Sequence, residues 1–491
     1  MKQHKKSADR RAFQVKVKDI EIVCQREEEI ARRLDRKWTG ERGEPVLAGG
    51  NIHYEISDRV QAIDCGGLRL IQLLVKKLGL AESINQRGQV LNLIYNVMSG
   101  GSCLQDVEAR RRDVGYLDAL GARKVPAPST EGDFLRRLDE ESIWGLMEAV
   151  DEARLKVWGE RGEKFHRQAT IDVDGSMAVT QGECKQGMGL NYKGEWGYHP
   201  LLVTLAESNE VLYVVNRSDN RPSQEGAAEV LDRSIDLVRR GGFQKVLLRG
   251  DTDFTQTRHL DGWSEKGFVR RAEELGEEAW EKLVRPVKKK RKRRRGANVK
   301  QALVREKGYR TLQLLEEEVA EFDYRPRACE GTYRAVVLRK RIAVEKGQRR
   351  LFEEDKYLFY LTNLPRQEAS ASQVVRLANG RCGQENVIEQ LKNGVQAMRM
   401  PSDSLESNWA YLVITAQAWN LKAWLGLVQP DQRFGGQIAR MEFRKFLRQI
   451  VQLPCQILKQ SRRLVYRLLG VNEWTEAFLQ GVIWLRRVRF G

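Results

Sequence analysis

Apolar residues recur at helical spacing in "RLIQLLVKKLGLAESI" (69–84) and in "STEGDFLRRLDEESIWGLMEAVDEARLKVWG" (129–159). Both stretches predict amphipathic helices, with Ser129 or Thr130 as a cap. The period changes near residue 168. "ATIDVDGSMAVT" (169–180) reads as a strand, and "HPLLVTLAE" and "VLYVVNR" flank the short turn "SNE" as an antiparallel hairpin. "SQEGAAEVLDRSIDLVRRGGF" (223–243) returns to helical spacing and stops at Gly241-Gly242. "KVLLRGD" then reads as a short strand of the fully buried kind, "TQTRHLDGWSEKG" as a helix and "FVRRAE" as another strand. The predicted order is β-β-β-α-β-α-β.

Downstream the pattern is strand-like in "TYRAVVLRKRI" and "KYLFYLTNL". Helical spacing resumes at "ASASQVVRLANG" and "RCGQENVIEQLKNGV", and "FRKFLRQIVQLPCQILKQSRRLVYRLLG" is amphipathic and basic. Five regions follow. They are a mostly helical DNA-binding and dimerisation region (1–165), the first part of an α/β core (166–274), a β-rich insertion (275–368), the second part of the core (369–430) and a basic helical C-terminal region (431–491).

With 41% hydrophobic residues in a chain of 491, most of the protein should fold. Charge narrows the partner. Lys and Arg number 85 against 67 acids, a net +18, which favours a polyanion: nucleic acid first, an anionic membrane surface second. No uninterrupted apolar run reaches the ~20 residues of a membrane span. The N-terminal "MKQHKKSADRRAFQ" lacks the apolar segment of a signal peptide, and seven scattered cysteines suit a reducing cytoplasm. The densest cationic run is Lys288, Lys289, Lys290, Arg291, Lys292, Arg293, Arg294 and Arg295. Such a run repels itself and is expected as a loop that contacts phosphate rather than a solvated linker.

Candidate chemistry rests on acids. Asp172 and Asp174 are two apart on one strand, so they share a face, and burying them unpaired would be costly. Asp174 ends the first strand, and Asp251 ends the strand after the helix, 77 residues later (251−174). Strand ends are where ligands gather in α/β sheets. Glu385 and Glu389 share a helix face further on, with Lys392 beyond. Clustered carboxylates without His or Cys suit Mg²⁺ or Mn²⁺, and two such ions clamp the attacking and leaving oxygens of a phosphodiester.

The order of strands, the two aspartates and a later helical glutamate resemble the RNase H-like core of DDE transposases. "RCGQENVIEQLK" is similar to the Tyr-x2-Arg-x3-Glu-x6-Lys signature of cut-and-paste insertion-sequence transposases, with Arg381, Glu385 and Lys392 in place and Ala378 where the tyrosine belongs. "YHPLLVTLAESNEVLYVVNR" and "KVLLRGDTDF" resemble the insertion-sequence 1380 family, a bacterial branch related to piggyBac. The resemblance runs over about 165–425.

It implies a catalytic, metal-holding triad of Asp174, Asp251 and Glu385, with Arg381 and Lys392 on DNA phosphates. "DGS" selects Asp174 over Asp172, which becomes a supporting acid; Asp253 is read as solvated or as capping the next helix, and Glu389 as a helix-face ion pair. The implied substrate is double-stranded DNA, both terminal inverted repeats and target, held by a homodimer in the paired-end complex of the bacterial nucleoid. In relatives the first strand cut is often followed by a DNA hairpin whose flipped base stacks on an aromatic ring; here either no hairpin forms or a tyrosine or phenylalanine does the stacking. Tyr324, Tyr333, Tyr357 and Phe359 are the local candidates, and His199 is read as a sheet residue rather than a ligand. Two other classes remain: a catalytically inactive, transposase-derived DNA-binding protein, and an RNase H-like nuclease or resolvase. The intact acidic triple argues against the first. The long insertion and basic terminal regions argue against the second.

Overall fold

A computed structural model describes residues 17–34, 60–84, 87–251, 272, 275–284, 310–325, 332–346, 349–460 and 463–490, apart from positions 183, 192 and 220. The chain divides into two compact units, residues 1–250 with 383–491, and residues 251–382.

In the first unit, strand β1 (Gln61–Ile63) precedes helices α1 (Leu68–Leu78), α2 (Arg87–Met98) and α3 (Glu140–Gly159). Strands β2 (Ala169–Gly175), β3 (Ala178–Val179), β4 (Gly189–Leu190), β5 (Trp196–Tyr198), β6 (Leu201–Leu205) and β7 (Glu210–Val215) follow. Then come α4 (Ala227–Arg240) and β8 (Val246–Arg249), and after the second unit α5 (Cys382–Glu389), α6 (Leu405–Val428), α7 (Gln432–Arg440) and α8 (Thr475–Arg487). The main sheet has the order β7-β6-β2-β8, antiparallel except for the parallel pair β2–β8, and β3-β5-β4 form a small separate sheet.

The predicted hairpin is present as β6–β7, and the predicted helix as α4, closed by Gly241 and a left-handed Gly242. Apolar runs in β2 and β6 are buried on both faces, which is why they read as continuous rather than alternating. "KVLLRGD" departs from its reading: β8 is the edge strand among the described residues, and Leu248 is 45% exposed.

Helix α6 is apolar on all sides, so it is buried all round: every residue from Ser407 to Val428 is buried. It closes the other edge of the sheet with side chains. The Asn420 amide accepts from Val211 N–H (2.9 Å) and donates to Val211 C=O (3.0 Å). Trp409 Nε1 donates to Val214 O (2.7 Å) and Trp419 Nε1 to Asn209 O (2.6 Å). These bonds satisfy outward-facing backbone groups of Val211 and Val214 on β7. Helix α7 lies close against α6 because a Cβ at Gly435 would come within 2.4 Å of Gly426 O. No described helix is long and apolar enough to cross a membrane.

The C-terminal region differs from the helical expectation. Pro454 stops the preceding helix, and Cys455–Gln460 and Arg463–Leu468 form an antiparallel hairpin that also pairs with β1. Cys455 and Ile457, two apart, are both buried, which is strand periodicity inside a stretch that reads as amphipathic helix.

Glu131, on helix Pro128–Arg136, is fully buried. Its Oε1 accepts from Asn92 Nδ2 (2.6 Å), while Oε2 has no partner among the described residues. Burial pushes this carboxyl up to about 7, against the weaker lowering effect of Asn92. A raised folded-state pKa contributes stability that is complete below the unfolded value near 4.5 and is lost as pH rises through 7. Glu131→Gln is therefore expected to flatten the stability profile between those limits, and to gain up to ~3 kcal/mol over wild type above pH 7. Urea titrations at pH 5 and pH 8 measure it; parallel losses at both would refute it.

The second unit is built on an antiparallel sheet of order β12-β11-β10-β9, comprising β9 (Glu281–Lys282), β10 (Arg310–Tyr324), β11 (Tyr333–Lys346) and β12 (Arg349–Thr362). Helix Ala371–Asn379 packs Val374 and Val375 against Leu283, Val319, Val336 and Leu338. Its start is fixed by a capping box, Ser370 with Gln373. Arg339 on β11 is buried between Glu277 and Glu318, over the ring of Trp280.

Candidate active site

Asp172 and Asp174 have separate fates. Asp172 is fully buried and accepts two hydrogen bonds from Arg249 on β8, Nε at 2.6 Å and Nη2 at 2.7 Å. A bidentate guanidinium pair answers its charge inside the sheet. Asp174 is half-buried at the C-terminal end of β2, opposite Leu202 of β6.

The residue after Asp174 must be small. A Cβ at Gly175 would come within 2.4 Å of His199 Cε1, so the imidazole lies against the strand end. Arg217 Nη2 is 2.9 Å from His199 Nδ1. Burial, then the positive charges of Arg217 and Lys392, push this imidazole down to about 4, so it is neutral at pH 7. Arg217 also holds the following loop, donating to the carbonyls of His199 (2.8 Å), Pro222 (3.2 Å), Ser223 (3.0 Å) and Glu225 (2.7 Å). Sequence reasoning passed over this His–Arg pair; its partners are 18 residues apart with no spacing rule to join them.

Helix α5 is tied to the same sheet. Buried Gln384 donates to Leu202 O (3.3 Å), the residue opposite Asp174, and the exposed Glu385 is next along the helix. Glu389 accepts from Asn393 Nδ2 (2.7 Å), in keeping with a structural role. The helix then widens into a π-turn over Gln390–Gly394, and both Gln396 and Met400 adopt left-handed backbone (φ 60° and 50°). Such geometry in non-glycine residues is a mark of functional segments. Lys392 sits in the π-turn, half-buried. Burial lowers its pKa, opposed by the negative charges of Glu389, Asp174 and Glu195, so its ammonium feels the Asp174 carboxylate.

A groove of about 470 Å³ lies between the segment that follows β2 and the π-turn. One wall is Met177, Val179 and Gln181; the other is Lys392, Asn393 and Arg399. Arg399 is anchored on Ser102 O at 3.2 Å. In the second unit, Arg381 Nη2 is 3.9 Å from Asp251 Oδ2. Asp253 and the cationic run 288–295 lie outside the described residues. Of the four aromatic candidates, Tyr357 and Phe359 pack beside the buried cluster around Trp280, while Tyr333 is 37% exposed.

Asp174 and Glu385 offer hard oxygen donors, which suit a divalent ion of the Mg²⁺ class. Among the described residues, however, no group of three or more His, Cys, Asp or Glu side chains is assembled as a metal cage. The donor chemistry fits; a closed three-ligand geometry is not formed.

A family model for the transposase DDE domain, group 1, matches residues 68–490. No curated protein matches the chain. Among solved structures, a piggyBac transposase synaptic complex with hairpin DNA is similar at 10% identity, covering 80% of this chain and 84% of that one, with a TM-score of 0.28. The family match spans most of the chain, from the first core helix to the last, and the protein belongs to the DDE-domain transposases of group 1.

Proposed function

We propose that this transposase is a cut-and-paste enzyme of the insertion-sequence 1380 kind, with an RNase H-like core (166–274 and 369–430) interrupted by a β-rich insertion (275–368). Asp174, Asp251 and Glu385 are its catalytic carboxylates and would hold Mg²⁺ or Mn²⁺, in two sites. The metal would supply charge neutralisation at the scissile phosphate. Lys392 and Arg381 would hold flanking phosphates, and neutral His199 would brace the strand end that carries Asp174. The substrate would be the terminal inverted repeats of the element and its target DNA, bound by a homodimer in the bacterial cytoplasm.

One observation carries the reading. Within the first unit, β2 and β8 run parallel with a fixed offset: Ala169 faces Val246 and Asp172 faces Arg249. That offset is 77 residues (249−172), the same as separates Asp174 from Asp251 (251−174). The preceding step on the same face, Asp172 with Arg249, is already used for structure. Incubating the protein and Mg²⁺ with DNA carrying the inverted repeats that flank its gene tests the reading. Nicks at the repeat ends support it. Binding without cleavage would favour the inactive DNA-binding alternative, and cleavage independent of the repeats a simple nuclease.

Each phosphate contact releases condensed counterions, so affinity should fall steeply with salt. Replacing residues 288–295 with glutamine is expected to lower the slope of log K against log [salt] by several units, up to roughly 7 if all eight touch phosphate. Fluorescence anisotropy across a salt series measures it, and an unchanged slope would make the run a spacer.

A further inference from the structure

The segment after the π-turn holds a glutamine where the backbone favours glycine or asparagine. Gln396 has φ 60°, and Met400 follows at φ 50°. A β-carbon is crowded in that region, so Gln396 costs the fold energy that glycine would not. Its half-buried side chain returns little. Nε2 donates to Asn393 O (3.1 Å), and among the described residues Oε1 accepts no hydrogen bond. The strained segment is held firmly. Ala397, Met398 and Met400 are buried, and Arg399 Nη1 is anchored on Ser102 O (3.2 Å) and Oγ (3.3 Å). Lys185 donates to Met400 O and to Thr180 Oγ1, so it ties this segment to the one after β2 across the groove.

That groove, of about 470 Å³, has the size of sites that take a small organic group. Its polar lining divides by chemistry. Lys392 and Arg399 bring positive charge, while Gln181, Asn393 and Gln396 bring amides. Cations hold phosphates whatever the sequence, whereas amides tell one base from another.

We propose that Gln396 reads an adenine of the element's terminal repeat, while Arg399 holds a phosphate beside it. An amide has two N–H groups and one carbonyl. One N–H of Gln396 is taken by Asn393, which orients the amide and leaves one N–H and the carbonyl for a ligand. That donor and acceptor complement the N7 acceptor and N6 amino donor of adenine. Guanine presents two acceptors on the same edge, and cytosine and thymine one polar group each. A side chain already held in place loses little freedom on binding, which is a gain that offsets the backbone strain. The inference rests on the reading that the chain acts at its element's ends, and it adds a residue that selects them.

Fluorescence anisotropy of the full chain on terminal-repeat duplexes tests it, with a scrambled duplex as reference. Each adenine of the repeat is replaced in turn by unsubstituted purine, which lacks the N6 amino group, or by 7-deazaadenine, which lacks N7. At one adenine, both replacements should weaken wild-type binding about tenfold. Gln396→Gly should bind the unmodified repeat about tenfold more weakly and be indifferent to both replacements at that adenine. Gln396→Asn tolerates the same backbone but has an amide one carbon shorter, and should behave alike. Glycine suits the left-handed backbone, so Gln396→Gly should melt no lower than wild type. Three results would each overturn the assignment: a wild type indifferent to every replacement, a Gln396→Gly protein that still discriminates, or a lower melt with equal losses on repeat and scrambled DNA. A wild type that binds repeat and scrambled duplexes alike would overturn the proposed function with it.

Discussion

Asp174→Asn protein is expected to bind transposon-end DNA with near wild-type affinity and to cleave it at least ~10³-fold more slowly. Asp251→Asn and Glu385→Gln should behave alike. Removing a carboxylate from a cationic surface does not weaken its attraction for DNA, so binding survives while chemistry fails. Asp172→Asn is the discriminating control, since it shares the strand face with Asp174. The change breaks the bidentate pair with the half-buried Arg249, a defect of ~1–3 kcal/mol in stability. Activity of Asp172→Asn should therefore fall only as the folded fraction falls, and recover on cooling. Nicking rates alongside melting curves separate the two. If Asp172→Asn were inactive with an unchanged melt, and Asp174→Asn still cut, the first catalytic acid would be Asp172.

That contrast also marks how far the sequence could be read. Alternation and apolar runs exposed the β6–β7 hairpin, helix α4 and the strand ending at Asp174, because their burial leaves a period in the chain. The partner of Asp172 was open from sequence. Arg249 stands at the same 77-residue offset that relates Asp174 to Asp251, so a repeated spacing was available as a signal. Other features left no such trace. The hairpin Cys455–Leu468 was hidden because basic and apolar residues mix there in a way that suits a helix as well as a strand. The π-turn at Gln390–Gly394 and the left-handed Gln396 and Met400 depend on tertiary packing, and neither glycine nor asparagine marks either left-handed position. The groove lined by Lys392, Asn393 and Gln396 was accordingly invisible.

Arg154→Ala is expected to be the most destabilising single change in the first unit. Arg154, Asp151 and Glu210 are all buried, with side chains 1%, 2% and 0% exposed. Arg154 donates to Glu210 (2.8 Å), to Val211 O (2.7 Å) and to Asp151, so it joins helix α3 to β7. Two carboxylates share one guanidinium, and neutral donors carry the remainder. Trp158 and Trp424 each donate an indole N–H to Glu210 at 2.8 Å, Ser208 donates to it at 2.6 Å, and Tyr213 donates to Asp151 at 2.6 Å. Even so, burial pushes Asp151 up to about 6, against the lowering effect of Arg154 and Tyr213. Removing the arginine leaves two buried carboxylates uncompensated, at a cost of ~3–5 kcal/mol. Without it Asp151 loses the partner that lowers its pKa and holds its proton more tightly in the folded state, so stability lost at pH 8 should partly return as pH falls through 6 toward 4. Replacing all three by Met, Asn and Gln (Arg154→Met, Asp151→Asn, Glu210→Gln) removes the charges together and should cost less than Arg154→Ala alone. Urea denaturation followed by fluorescence of Trp158 and Trp424 measures each variant. A loss under ~1 kcal/mol for Arg154→Ala, or one that does not shrink at low pH, would mean that the cluster tolerates its negative charge through the indole and hydroxyl donors alone.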